Sequence, residues 1–295
     1  MAARLKHGAA LRPRAEAEAA ALPPLLIEAS RVAAAVAQGT HGRRRTGQGE
    51  TFWQFRPYEP GEPANRVDWR ESAKSDRLYV RETEWEAAQS VFLWRDSSAS
   101  MDYASKPDWP SKRARADLLL LALAALLVRG GERVTLLGSG LAPGHGRTML
   151  DRLALLLERG GTAETGGDLP GFENLPRHGH MVLMGDFLGP LDAIHERVLR
   201  FADAGLKGHV LQILDPAEES LPFAGRVRFE GLERESPLLI SRVETIRAAY
   251  IEKLARHRAG LAALTRLAGW SFGVHRTDQS PQYALLGLYR ALAGD

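Results

Sequence analysis

The stretch Asp96-Ser97-Ser98-Ala99-Ser100 puts one carboxylate and two hydroxyls at alternate positions, directly after the apolar run Ser90-Val91-Phe92-Leu93-Trp94. Alternate side chains of a tight loop can converge on one point. A second carboxylate, Asp186, follows another apolar run, Met181-Val182-Leu183-Met184. If the two runs are neighbouring strands, both acids face one crevice. In open parallel sheets ligands bind beyond the carboxyl ends of the strands, near the point where strand order reverses. Two carboxylates with hydroxyls and water form an all-oxygen set. That set suits a hard divalent cation, Mg²⁺ above all, held near-octahedrally with oxygens at about 2.0–2.1 Å. So few charged ligands leave the ion positive, with an open position that a partner's carboxylate can fill. The plainer alternative is that Asp96 and its serines cap a turn or open a helix, where both residue types are favoured.

The elements that must position these residues alternate strand and helix from Gln89 onward. After the run at 90–94, Lys112 to Arg129 reads as a helix closed by Gly130-Gly131, and Arg133 to Leu137 as a strand. Thr148 to Arg159 reads as a helix, Met181 to Met184 as a strand, Leu191 to Ala204 as a helix stopped by Gly205, and His209 to Leu214 as a strand. A long helix over 242–268, a strand over 270–275 and a helix over 281–293 close the chain. This alternation predicts an α/β fold, a mostly parallel sheet with helices on both faces. Residues 217–240 interrupt it as an insertion, with an edge hairpin expected near Arg226–Gly231. The apolar run Leu118 to Val128 is eleven residues long against the roughly 18–20 of a membrane span, so it reads as a buried helix.

Upstream, three segments differ in character. Residues 1–22 are rich in Ala, Arg and Glu and read as a flexible basic leader. Residues 23–88 begin with helical spacing from Leu25 to Val36. They continue into a loop-rich, aromatic stretch that must pack on the main domain, 89–295, to bury Phe52, Trp53, Phe55, Tyr58 and Trp69. In that stretch Arg66, Asp68, Trp69 and Arg70 offer a binding surface or, the favoured reading, a buried Asp–Arg pair and an aromatic anchor that ties the segment to the sheet.

The charge supports this division. Of 39 basic and 36 acidic residues, eight basic and three acidic fall within residues 1–45, leaving 31 and 33 for the rest. The excess of positive charge thus belongs to the N-terminal segment, residues 1–45. A solvated leader is favoured over a nucleic-acid tail built on Arg43 to Arg45. The absence of cysteine excludes disulfides and thiolate metal sites. With no signal-peptide core at the start, a cytoplasmic location is expected. His178 and His180 flank one glycine before a strand, but no further ligand is spaced near them for zinc. The Gly138–Gly146 stretch lacks the ending of a phosphate loop and reads as a flexible loop.

The motif Asp96-x-Ser98-x-Ser100 resembles the metal-ion-dependent adhesion site of von Willebrand factor A domains. Asp186 matches that family's later aspartate, which holds the metal through water. The family also uses a threonine, for which Thr162 is the match and Thr165 the alternative. Further motifs lie in Phe55-Arg56-Pro57-Tyr58-Glu59-Pro60-Gly61-Glu62, Arg66-Val67-Asp68-Trp69-Arg70, Ser72-Ala73-Lys74 and Leu78-Tyr79-Val80-Arg81-Glu82. These resemble the hallmark of the bacterial domain-of-unknown-function 58 family, with Glu62 where the pattern has Asp. The resemblance implies a von Willebrand factor A-like domain with an Mg²⁺ site of Asp96, Ser98, Ser100, Thr162 and Asp186. It also implies a non-catalytic, metal-dependent protein-interaction module that works with a MoxR-type AAA+ ATPase in assembly or maturation of other proteins.

An enzyme is the competing expectation. Asp96 after a first strand is also where haloacid-dehalogenase-like phosphohydrolases place a nucleophile. Those enzymes resemble D-x-D-x-[TV], whereas Ser98 replaces the second acid here, and no lysine-plus-acid pair is apparent downstream.

Overall fold

A computed structural model of the chain describes residues 46–47, 51–59, 62–63, 67–75, 77–84, 89–160, 167–173, 175–233 and 236–293. The leader, the helical spacing from Leu25 to Val36, Arg43 to Arg45 and Arg66 lie outside them. The described residues fall into two compact units, one within Glu28–Ala88 and one within Gln89–Gly294.

The first unit is a small antiparallel sheet rather than the loop expected from its composition. β1 (Thr46–Gly47) and β2 (Thr51–Pro57) flank β3 (Tyr79–Glu84), and the one-turn helix α1 (Trp69–Ser72) lies between β2 and β3 in sequence. The motif residues tie this sheet together. The Arg56 guanidinium grips both carboxylate oxygens of Glu62, with Nη1 at 2.9 Å from Oε2. The Tyr58 hydroxyl donates to the Glu62 carbonyl at 2.8 Å. A glutamate therefore serves at the motif's aspartate position. Asp68 caps α1 by accepting from the Glu71 N–H, while Ser72 Oγ accepts from the Tyr79 N–H at 2.8 Å. The expected aromatic anchor does not form. Trp69 is 63% exposed, because α1 turns Ser72 inward instead and Val67 takes the buried place beside Val80.

The second unit carries five parallel strands, β4 (Ser90–Arg95), β5 (Arg133–Leu136), β6 (His180–Gly185), β7 (Lys207–Leu214) and β10 (Ser271–Arg276). Their order across the sheet is β10-β7-β6-β4-β5. Strand order reverses between β4 and β6. The helices are α2 (Lys112–Arg129), α3 (Gly146–Glu158), α4 (Leu191–Asp203), α5 (Pro216–Ser220), α6 (Val243–Leu267) and α7 (Pro281–Ala293). The insertion forms a two-stranded antiparallel ribbon of its own, β8 (Val227–Phe229) with β9 (Leu238–Ile240), and does not extend the edge of the main sheet.

Alternation along the strands builds two cores. Val91, Leu93, Val182, Met184, Leu211 and Ile213 point to the face covered by α2, α3 and α7. Phe92, Trp94, Met181, Leu183 and Val210 point to the face covered by α4 and α6. A strand buried on both faces must be apolar at every position, which explains its continuous apolar run. Helix α2 is apolar almost all round, with Leu118 to Ala125 and Leu127 buried. Ser111 caps its start by accepting from the Ala114 N–H. Gly205 ends the turn after α4 at φ +86°, where a side chain would be strained. The Gly138–Gly146 loop is pinned by a bridge between Val134 and Gly144 and by Thr135 Oγ1 donating to the Leu141 carbonyl at 2.8 Å.

These burial differences make a direct prediction. Leu120→Ala in α2 should destabilise the protein by about 2–5 kcal/mol, through lost transfer energy and a residual cavity. Leu238→Ala on the exposed ribbon should stay within about 0.5 kcal/mol. Urea midpoints for both variants check the contrast; equal losses would place the ribbon in the core.

Candidate metal centre

The switch between β4 and β6 brings the two predicted carboxylates together. The Asp96 N–H donates to the Met184 carbonyl at 2.8 Å, extending the β4–β6 ladder by one bond past Arg95. Gly185 makes this approach feasible, since a Cβ there would lie 2.9 Å from Asp96 Cβ. Only glycine fits so close to a neighbouring chain.

Beyond the strand tips the oxygens form a chain. Asp96 Oδ1 accepts from the Ser98 N–H at 2.8 Å, and the Ser98 and Ser100 hydroxyls lie 2.9 Å apart. The Ser100 hydroxyl donates to Asp186 Oδ2 at 2.7 Å. Arg113 fixes the loop from below, donating to the Ser98 carbonyl at 2.9 Å while pairing with Asp102. Asp96, Ser98, Ser100 and Asp186 are thus assembled at one locus; Thr162 and Thr165 lie outside the described residues.

Electrostatics complete the picture. Asp96 is fully buried, and its Oδ2 has no hydrogen-bond partner. Burial pushes its carboxyl up to about 6, opposed by the hydrogen bonds from Ser98 and assisted by the nearby Asp186 and Asp168 carboxylates. An orphaned carboxylate oxygen beside two hydroxyls is the environment a hard cation satisfies, so the residues fit such an ion. Among the described residues no three His, Asp or Glu side chains are grouped to hold a metal. Binding would therefore depend on the serine hydroxyls.

Three groups here are absent from the predicted set. Lys112 is completely buried, and its ammonium donates to Asp186 Oδ2 at 2.8 Å and to Glu218 Oε1 at 2.6 Å. Burial acts to lower its pKa, but Glu218 and Asp186 outweigh it and hold the ammonium charged. Burial raises the Glu218 carboxyl, against the pull of Lys112. A lysine bridging two acids, not apparent from the sequence, thus stands beside the site. One signal pointed to it: Lys112, Arg113 and Arg115 crowd the first turn of α2, where the helix dipole disfavours cations. Their partners had to lie elsewhere. Asp168, the third group, enters only through its charge on Asp96.

The histidines stay apart from this cluster. His178 precedes β6 and His180 opens it, at the end opposite the cluster, and His180 is buried. His275 on β10 is buried, with its Nε2 unpartnered, and burial lowers it to about 4.

Comparison with known proteins places the chain among relatives. A family model described as "Protein of unknown function DUF58" matches residues 54–260. Uncharacterized proteins of Mycobacterium tuberculosis and Mycobacterium bovis are each 27% identical over 279 residues, covering 88% of this chain and 85% of the relative. Among solved structures, an aerotolerance-related membrane protein from Bacteroides fragilis aligns at 14% identity with a TM-score of 0.39. The conserved hypothetical protein BatB from Bacteroides thetaiotaomicron aligns at 14% with a TM-score of 0.37. Both alignments cover 70% of this chain and all of the other.

The raised Asp96 carboxyl predicts an unusual pH dependence. Its folded value of about 6 lies above the ordinary 3.8, so the folded state binds the proton more tightly. Its contribution to stability falls as pH rises from about 4 to about 6, reaching a penalty on the order of 3 kcal/mol above that window. In chelator-treated protein, Asp96→Asn should be more stable than the parent at pH 8, by about 1–3 kcal/mol, and nearly equal to it at pH 4. Urea denaturation at the two pH values measures this; a variant less stable at pH 8 would show that the carboxylate is already satisfied.

Proposed function

The chain belongs to the family described as protein of unknown function DUF58, and we propose that it is a metal-dependent protein-interaction module of von Willebrand factor A type. The observation that carries this reading is the buried, unpartnered Asp96 Oδ2, set beside the Ser98 and Ser100 hydroxyls at the strand-order reversal. Asp96, Ser98 and Ser100 would hold a hard divalent cation such as Mg²⁺, with Asp186 behind them and a threonine, Thr162 or Thr165, from the intervening loop. Such an ion, once bound, supplies an open coordination position for a carboxylate from a protein partner.

The chain's own residues do the rest. Lys112 pairs with Asp186 and holds it in place, and Arg113 holds the serine loop by its backbone. The resemblance in the sequence points to a MoxR-type AAA+ ATPase as the partner, in assembly or maturation of other proteins; a cytoplasmic location is part of this proposal. Among the described residues no helix is long and apolar enough to cross a membrane.

The Lys112–Asp186 pair favours a second reading, a Mg²⁺-dependent phosphohydrolase with Asp96 as nucleophile, because such a lysine could bind a phosphoryl oxygen. Against it, Ser98 stands where a general acid would be needed, and a serine hydroxyl is a poor proton donor at neutral pH.

Two measurements separate the readings. Mg²⁺ binding by calorimetry, and Mg²⁺-dependent capture of a partner, should both be lost in Asp96→Ala and Ser98→Ala while circular dichroism stays unchanged. Capture that survives both substitutions and chelator would reject the metal-dependent module. Purified protein should not hydrolyse a generic phosphate ester; turnover that disappears in Asp96→Asn would favour the enzyme.

A further inference from the structure

The insertion over 217–240 reaches back to the candidate site. Glu233, between β8 and β9, places its carboxylate Oε1 3.4 Å from the backbone nitrogen of Ser100. Ser100 is the residue whose hydroxyl joins Ser98 to Asp186. The two residues are 133 positions apart, so the ribbon as a whole, not local chain geometry, brings them together. At 3.4 Å the contact is longer than the usual 2.7–3.2 Å, so it marks where the Glu233 carboxylate stands and not a strong hydrogen bond to Ser100.

The ribbon is lightly held. Its ladder spans only Val227–Phe229 against Leu238–Ile240. At its base the Gly225 N–H donates to the Glu244 carboxylate at 2.7 Å and the Gly225 carbonyl accepts from the Val243 N–H at 3.1 Å. Phe223 meets Phe229 edge-on at 5.6 Å. Leu232, Leu238 and Leu239 remain exposed, so the ribbon buries little apolar surface of its own. Elements with few buried contacts open at small free-energy cost.

The geometry points to Glu233 as the chain's own ligand for this site: a carboxylate in cis that stands at its rim until a partner's carboxylate displaces it. This inference rests on the metal-dependent reading above. A tethered carboxylate competes at an effective concentration in the millimolar range or above, so a partner binds with reduced apparent affinity unless it also moves the ribbon. Glu233 would then set a threshold that weak or adventitious carboxylates do not pass.

The test uses the full chain with Mn²⁺ alone as the ion, read by water-proton relaxation, and acetate as the free carboxylate. In Glu233→Gln, Mn²⁺ affinity should fall by up to about tenfold through the loss of one charged ligand. The relaxation enhancement per bound ion should rise as water takes the vacated place. Acetate should then quench that enhancement at a concentration roughly tenfold lower than in the parent, because the competitor in cis is gone. Glu230→Gln, on the same ribbon and paired with Arg228 at 3.0 Å, should behave as the parent does. Equal affinity, enhancement and acetate response in Glu233→Gln and the parent would overturn the role of Glu233 while leaving the metal site intact. Failure of the parent to bind Mn²⁺ would overturn both.

Discussion

One ammonium reconciles charges that would otherwise repel. Lys112 bridges Asp186 and Glu218 from the first turn of α2, inside the protein and with no exposure of its own. Burying a charge is costly unless it is paired and hydrogen-bonded, and each of these two contacts is both. Because Lys112 engages Asp186, that side chain stays at the tip of β6, facing the serine loop. Glu218 belongs to a capping box in which its carboxylate accepts from the Asp215 N–H while Asp215 caps α5. The ammonium thus joins the switch point of the sheet to the element that follows β7.

A second buried pair acts on the other side of the switch. Arg95 and Asp117 meet at 2.8 Å with almost no exposure, locking the end of β4 to the middle of α2. Arg95 immediately precedes Asp96, so this tie sets the strand's exit and therefore where the carboxylate sits. Leucines alone could hold α2 on the sheet at many small displacements. Two charged contacts, from Lys112 and Asp117, permit only one. Polar contacts here specify position, and the apolar core supplies the stabilisation.

Much of the main unit was legible because its central strands β4, β6 and β7 are buried on both faces and give continuous apolar runs. Helices α2 and α7 span the residues expected of them, with Gly130-Gly131 closing α2. The Asp96–Asp186 meeting was legible for a topological reason: both follow strands, and strand order in such sheets reverses once. Lys112 and Glu218 were not, since their pairing spans 106 residues and no periodicity records it. The small sheet of β2 and β3 was hidden by composition. Its stretch is rich in Gly, Pro and charge, and its order comes from side-chain ties such as Arg56 to Glu62. Trp69 misled because aromatic residues usually signal burial; in a one-turn helix only one side can face inward.

The ribbon of β8 and β9 is a sheet to itself, set in the chain between α5 and α6 and sharing no ladder with the five-stranded sheet. Its length and sequence can change without shifting the register of a single core strand. Folding and the role proposed for Glu233 are therefore exposed to mutation separately: these few residues can be rewritten on a scaffold that stays constant.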